Sequence, residues 1–211
     1  MLELVMFDAD GVLFDSEESN IAYYNAIFAG LGEPPMSHEE ELAGVFMSAN
    51  QIFEARASGD QARVARMQEI GRTLDFTPFF DLLRPSLELR PFLLALKKDF
   101  RLGLATNRAA TVPKLLEHLR LSGVFDAVAS ARDKVRPKPA PDMLLLCAER
   151  AGTSPSRAVY VGDSSIDLAA AQAAGIAFLG VGPRVEHDVW VSTLNEVPQA
   201  LRERFCNGAG N

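Results

Sequence analysis

Five short apolar runs recur along the chain: LELVMF (2–7), RLGLATN (101–107), FDAVAS (125–130), AVYVGD (158–163) and AFLGVG (177–182), with helix-like stretches between the last four. That alternation constrains the fold more than any other feature. Strand, helix and strand in succession build βαβ units, whose strands run parallel and whose helices cover both faces of one sheet. The expected class is α/β, a doubly wound parallel sheet with AFLGVG as its last strand. Helices are expected over LRPFLLALKKDF (89–100), near 110–121, over 141–152 and 166–175, and finally over 196–205. The stretch 166–175 ends on Gly175, a residue type suited to the left-handed turn at a helix C-terminus.

Between Ser16 and about Ser86 the pattern changes. SEESNIAYYNAIFAGLG, SHEEELAGVF, NQIFEARA and DQARVARMQEIGRTL read as amphipathic helices. Pro34, Pro35 and Gly59 break them, and no strand is expected among them. The expected organisation is a discontinuous core of residues 1–16 and 87–211, split by a helical insert at 17–86.

A chain of 211 residues, 48% of them hydrophobic, can bury a core for this arrangement. The net charge of -7 leaves no basic stripe, which argues against nucleic acid or an anionic membrane as principal partner. No apolar run approaches the roughly 20 residues that span a bilayer, and the opening LELVM is short and carries Glu3, so the cytoplasm is the expected location. Cys147 and Cys206 form no metal-type spacing; Cys147, within MLLLCAERAG, reads as a buried reduced thiol. The tail CNGAGN is expected to fray.

Open parallel sheets bind ligands outside the carboxyl ends of their strands. Three of the runs end there in reactive chemistry: Asp8 and Asp10, then Thr106 and Asn107, then Asp163. The loop RDKVRPKPAPD adds Lys138, and GDSSID adds Asp167. Strand alternation puts Asp8 and Asp10 on one side, where two buried like charges need compensation. Four carboxylates around one lysine call for a cation, and donors that are all oxygen, with no His or Cys cluster, suit Mg2+. Each motif alone has a plain structural alternative as a turn, an N-cap or a Pro-stiffened loop. The information lies in their joint order, each after its own strand.

This set resembles the haloacid dehalogenase superfamily, with FDADGVLFDS as its first motif, ATNR as its second, the lysine of RPKPAPD as its third and GDSSID as its fourth. The resemblance spans the whole chain, since the insert at 17–86 occupies the place of the family's helical cap. It is nearest to the phosphoglycolate phosphatase and β-phosphoglucomutase kind. It implies a Rossmann-like core, Mg2+ as cofactor and a small phosphorylated metabolite as substrate. It makes Asp8 the nucleophile and Asp10 the acid and base, with the Asp10 main-chain carbonyl on the metal. Thr106 and the Asn107 backbone N–H would hold phosphate oxygens, and Lys138 would neutralise Asp8 and the phosphate. Asp163 would ligate Mg2+, and Asp167 would either support the metal site or orient Lys138.

A sugar phosphomutase is the nearest rival function, because it needs the same acid/base aspartate and differs in returning the phosphoryl group to a sugar. Dehalogenation, being metal-free, has no need for Asp10 and Asp163 together, and a phosphonatase-type Schiff base needs a lysine in the insert, where residues 16–86 have none. A non-catalytic binding protein that kept the fold would be expected to have lost a carboxylate. A monomer and a homodimer both remain open. Two departures from the family pattern, Ala9 between the aspartates and Phe92 after the insert, are expected to affect packing rather than chemistry. His38, His118 and His187 read as surface or capping residues, and Trp190 as packing on the final strand. Arg56, Arg63 and Arg66 could share a face that reaches a substrate anion, although a solvated face beside the glutamates is favoured.

Overall fold

The computed structural model describes residues 1–44, 47, 49–108, 111–185 and 187–206. The chain begins with β1 (Leu4–Phe7), β2 (Phe14–Asp15), α1 (Glu17–Gly30), α2 (His38–Gly44), α3 (Ala49–Ala57) and α4 (Gln61–Thr73). It continues through β3 (Arg84–Pro85), α5 (Leu89–Leu96), β4 (Arg101–Thr106), α6 (Val112–His118), β5 (Ala127–Ser130) and α7 (Asp142–Arg150). The last elements are β6 (Ala158–Gly162), α8 (Ser165–Ala174), β7 (Ala177–Val181), β8 (Trp190–Val191) and α9 (Val197–Leu201). They fall into two compact units, Met1–Asp15 with Arg84–Asn211, and Ser16–Leu83.

The first unit is built on a parallel sheet in the order β5-β4-β1-β6-β7-β8. All four residues of β1 are buried, the pattern of a strand covered on both faces. Phe7 is in register with Leu104 of β4 and with Val161 of β6, so these three strands finish at one edge. Strand order reverses about β1, which is where an open sheet forms its crevice. One face is sealed by Met143, Leu144 and Cys147 of α7 and Ala170 and Ala171 of α8, against Leu4, Met6, Ala105 and Tyr160. Burial pushes the free Cys147 thiol up to about 12, an inert core thiol.

Three expectations change. AFLGVG is not the last strand, because Trp190–Val191 pairs in parallel with Gly180 and Val181. A two-residue strand is too short to show periodicity. Trp190 is itself part of that strand, and its indole N–H donates to the Gly182 carbonyl. Second, Arg84–Pro85 forms an antiparallel ribbon with Phe14–Asp15. The Ser86 N–H donates to the Leu13 carbonyl at 2.9 Å and its hydroxyl to the Val12 carbonyl at 2.8 Å. Arg84, Pro85 and Ser86 thus belong with the core, and Ser16 with the insert. Third, the helix expected near 110–121 runs Val112–His118, with Ala110 outside the described residues, and the final helix gives way after Leu201 to a wider π turn at Arg202–Cys206. Residues 207–211 of the tail also lie outside the described residues.

The second unit packs Ile27, Phe28, Ile52, Phe53, Val64 and Met67 into a core of its own. The Asp60 side chain caps α4 by accepting from the Ala62 and Arg63 N–H groups. Arg56 and Arg63 are tied inside this unit rather than presented together. Arg56 pairs with Glu40 at 2.6 Å and Glu33 at 3.3 Å and lies over the Phe28 ring, and Arg63 pairs with Glu33 at 2.6 Å. Arg66 is exposed. Among the described residues no helix is long and apolar enough to cross a membrane.

Candidate active site

Asp8 follows β1 directly and is 8% exposed, its backbone N–H donating to the Val161 carbonyl at 2.9 Å. Facing it is Lys138, 5% exposed, carried by the loop before α7. The Lys138 ammonium lies 2.8 Å from Asp8 Oδ1, 2.7 Å from Asp167 Oδ1 and 2.7 Å from the Tyr160 hydroxyl. The Tyr160 hydroxyl is also 3.0 Å from both the Ala105 carbonyl and Asp167 Oδ1. A buried ammonium is tolerable only with its donors and charge answered, and here two carboxylates and a phenol answer them.

Asp163 follows β6, and the N-terminus of α8 comes next. Ser164 caps that helix: its hydroxyl accepts from the Asp167 N–H at 3.3 Å and donates to Asp167 Oδ2 at 2.5 Å. Both oxygens of Asp167 are therefore engaged, one by Ser164 and one by Lys138. Asp8, Asp163 and Asp167 each place a carboxylate oxygen within 4.8 Å of the others. Gly11, with φ +77°, makes room for this group, because a Cβ there would lie 2.0 Å from Asp163 Oδ2. Arg184 approaches Asp163 from the loop after β7, at 3.7 Å.

At the end of β4 the Thr106 hydroxyl accepts from the Arg108 N–H at 3.2 Å, which leaves its own O–H to donate. The Asn107 amide bonds twice to the Lys138 backbone, accepting from its N–H at 2.9 Å and donating to its carbonyl at 3.2 Å. That pair holds the lysine loop to the end of the strand. Asp10 lies apart from the carboxylate cluster. Its two oxygens take the Arg108 guanidinium edge-on, Nε to Oδ2 at 2.7 Å and Nη2 to Oδ1 at 2.6 Å.

Burial pushes Asp8 up to about 8, with Asp167 and Asp10 adding repulsion and Lys138 opposing. Burial and Asp167 likewise bring Asp163 to about 6. For Lys138 burial works against the charge, yet Asp8 and Asp167 outweigh it and hold the ammonium above its ordinary range. The site thus holds more negative charge than its single lysine stabilises. The fit to a divalent cation rests on three observations. The donors are all oxygen, three carboxylates bring oxygens within 4.8 Å of one another, and Gly11 spares the group a Cβ that would collide with Asp163.

The seven residues singled out in the sequence all come to this edge, though not as one cluster: Asp8, Asp163 and Asp167 group together while the Asp10 carboxylate turns to Arg108. None of the three histidines joins them; His187 packs against Phe178, and His38 stands exposed beside Glu41. Five participants carried no assignable role in the sequence: Gly11, Arg108, Tyr160, Ser164 and Arg184. ATNR and GDSSID contain two of them, and the DxDG turn signals the glycine. Tyr160 was hidden inside an apolar strand.

The family model for haloacid dehalogenase-like hydrolases matches residues 5–181. The chain belongs to that family. A phosphoglycolate phosphatase of Shigella flexneri is 44% identical over 204 residues, with 84% of this chain and 80% of the relative covered. The solved structure of a subfamily IA hydrolase of the same superfamily from Geobacter sulfurreducens superposes with TM-score 0.80 at 27% identity, over 95% of this chain and 96% of that one. The β-phosphoglucomutase of Clostridium difficile shares the fold, with TM-score 0.77 at 20% identity over 96% and 98% of the two chains. The chain is thus a family enzyme of the branch that holds the phosphoglycolate phosphatases.

Proposed function

We propose that this enzyme is a Mg2+-dependent phosphatase of a small phosphorylated metabolite, working through an aspartyl phosphate on Asp8. The observation that carries this reading is Asp8 itself: a buried carboxylate at the end of the central strand, beside Lys138, with an oxygen within 4.8 Å of one from Asp163 and one from Asp167. Asp8 and Asp163, with the Asp10 carbonyl, would hold the cation, which when bound supplies charge neutralisation for an anionic nucleophile meeting an anionic substrate. Asp167 has both oxygens engaged, so its part is to orient Lys138.

Asp8 attacks phosphorus, forming the O–P bond as the bond to the leaving oxygen breaks. Asp10 gives that oxygen its proton, then takes one from the water that hydrolyses the acyl phosphate and regenerates Asp8. Lys138 stays against Asp8 throughout, while the Thr106 hydroxyl and Asn107 N–H bind phosphate oxygens. Phosphoryl transfer depends chiefly on such positioning and charge neutralisation. The unit Ser16–Leu83 would serve as the cap of the family and choose the leaving group.

The test is p-nitrophenyl phosphate turnover with Mg2+ added and removed, alongside Asp8→Asn. Turnover with release of inorganic phosphate, lost on chelation and in Asp8→Asn, is the expected result. A rapidly quenched Asp10→Asn enzyme should carry the phosphoryl group on Asp8 by mass spectrometry. Wild-type turnover by Asp8→Asn, or an adduct elsewhere, would overturn the mechanism.

A further inference from the structure

Asp10 has to meet a leaving oxygen and later a water, so its carboxylate needs a fixed orientation. Its side chain is 33% exposed and follows a strand end. Arg108 is built differently. Its side chain is only 10% exposed and its guanidinium lies 5.5 Å over the Phe14 ring. The backbone is pinned on both sides, the N–H by the Thr106 hydroxyl at 3.2 Å and the carbonyl by the Ala131 N–H at 3.0 Å. The better-anchored partner is the arginine, so order runs from Arg108 to Asp10.

We infer that Arg108 is a positioning residue for the reaction, a buried fork that sets the direction of the Asp10 carboxylate. A planar guanidinium edge bonded to both oxygens fixes the plane of the carboxylate, which a single ammonium cannot do. An ionised carboxylate has about four lone-pair sites, and the fork takes two of them. The proton delivered to the leaving oxygen, and later the one taken from water, sits on a site that the fork does not use. The inference rests on the acid–base role proposed for Asp10, and it assigns Arg108 no contact with substrate. Its effect on the reaction passes through Asp10.

A double-mutant cycle over Arg108→Gln and Asp10→Asn, read as kcat and KM on p-nitrophenyl phosphate and on an alkyl phosphate such as glycerol phosphate, tests it. General acid–base contributions run to about 10²–10⁴-fold. Loss of orientation should remove roughly tenfold or more of kcat on the alkyl phosphate, with KM little changed. In the Asp10→Asn background, Arg108→Gln should change kcat less than about twofold, since nothing remains to position. Arg108→Lys keeps the charge without the fork and should stay as impaired as Arg108→Gln. Additive losses would overturn the inference, because a structural or substrate-binding arginine acts whether or not Asp10 is present. So would full activity in Arg108→Lys, or no loss in Arg108→Gln. Wild-type activity in Asp10→Asn alone would instead defeat the acid–base reading, and the two failures are therefore distinct.

Discussion

Gly11→Ala should damage the metal site through one methyl group. Gly11 has φ +77°, where an L side chain adds backbone strain on the order of 1–2 kcal/mol. The added Cβ would lie 2.0 Å from Asp163 Oδ2, 2.5 Å from its Cγ and 2.9 Å from Oδ1, all below any real contact distance. Asp163 must retreat by roughly 1 Å, and a misplacement of about that size can lower catalysis some 10²-fold. Gly175→Ala supplies the comparison. Gly175 also has a left-handed φ, +65°, but nothing stands within 4 Å of its Cβ position. Both variants should lose stability from the backbone, and Gly11→Ala further stability from the clash, measured by urea unfolding without divalent cation. Only Gly11→Ala should weaken the half-saturating Mg2+ concentration and kcat/KM, by about 10²-fold for kcat/KM. Equal Mg2+ activation curves for the two variants would refute the argument, since backbone strain would then account for everything.

Tyr160→Phe keeps the buried ring but leaves one Lys138 N–H and the Ala105 carbonyl without the phenol, so unfolding free energy should fall by about 1–3 kcal/mol; an unchanged urea midpoint would show that water takes the place of the hydroxyl. The pH dependence of metal stabilisation follows from Asp8, raised from 3.8 to about 8, and Asp163, raised to about 6. Folding favours their protonated forms, so in chelator the unfolded chain binds fewer protons between about pH 4 and 8 and stability falls as pH rises through that window. A divalent cation favours the ionised forms, so the Mg2+-induced rise in melting temperature should grow from pH 6 to pH 8; a constant increment would contradict the assignment of these carboxylates as ligands.

The parts of the fold that were legible share one property: each long element repeats a simple pattern. Leu4–Phe7 and Ala158–Gly162 are wholly buried, and such strands read as continuous apolar runs. The ribbon Phe14–Asp15 with Arg84–Pro85 and the edge strand Trp190–Val191 have two residues per strand, fewer than any period needs. Their formation depends on what lies opposite, which the local sequence does not contain. The boundary of the insert moved for the same reason, because Ser86 is held by Val12 and Leu13 from the far end of a long excursion.

The site divides along a related line. Asp8, Asp163 and Lys138 come together at one edge as expected because each follows its own apolar strand, and their joint order, not any one motif, set them apart from turns, caps and loops. Asp167 and Ser164 sit in one turn, where local spacing still carries information. Tyr160 and Arg108 were not legible, for opposite reasons. Tyr160 is 0% exposed and in register with Met6, so by pattern it is a core residue, and it is one. Its ring packs in the core while its hydroxyl reaches the buried ammonium, and pattern reports only the ring. Arg108 looks like any surface arginine before a helix, and its partner is 98 positions away. Whether an arginine is a solvated charge or a buried fork depends on that partner and on Phe14 beneath it. Both are supplied by the turn after β1 and by β2, so the residue that orients Asp10 becomes visible only when β1 and β4 are laid side by side.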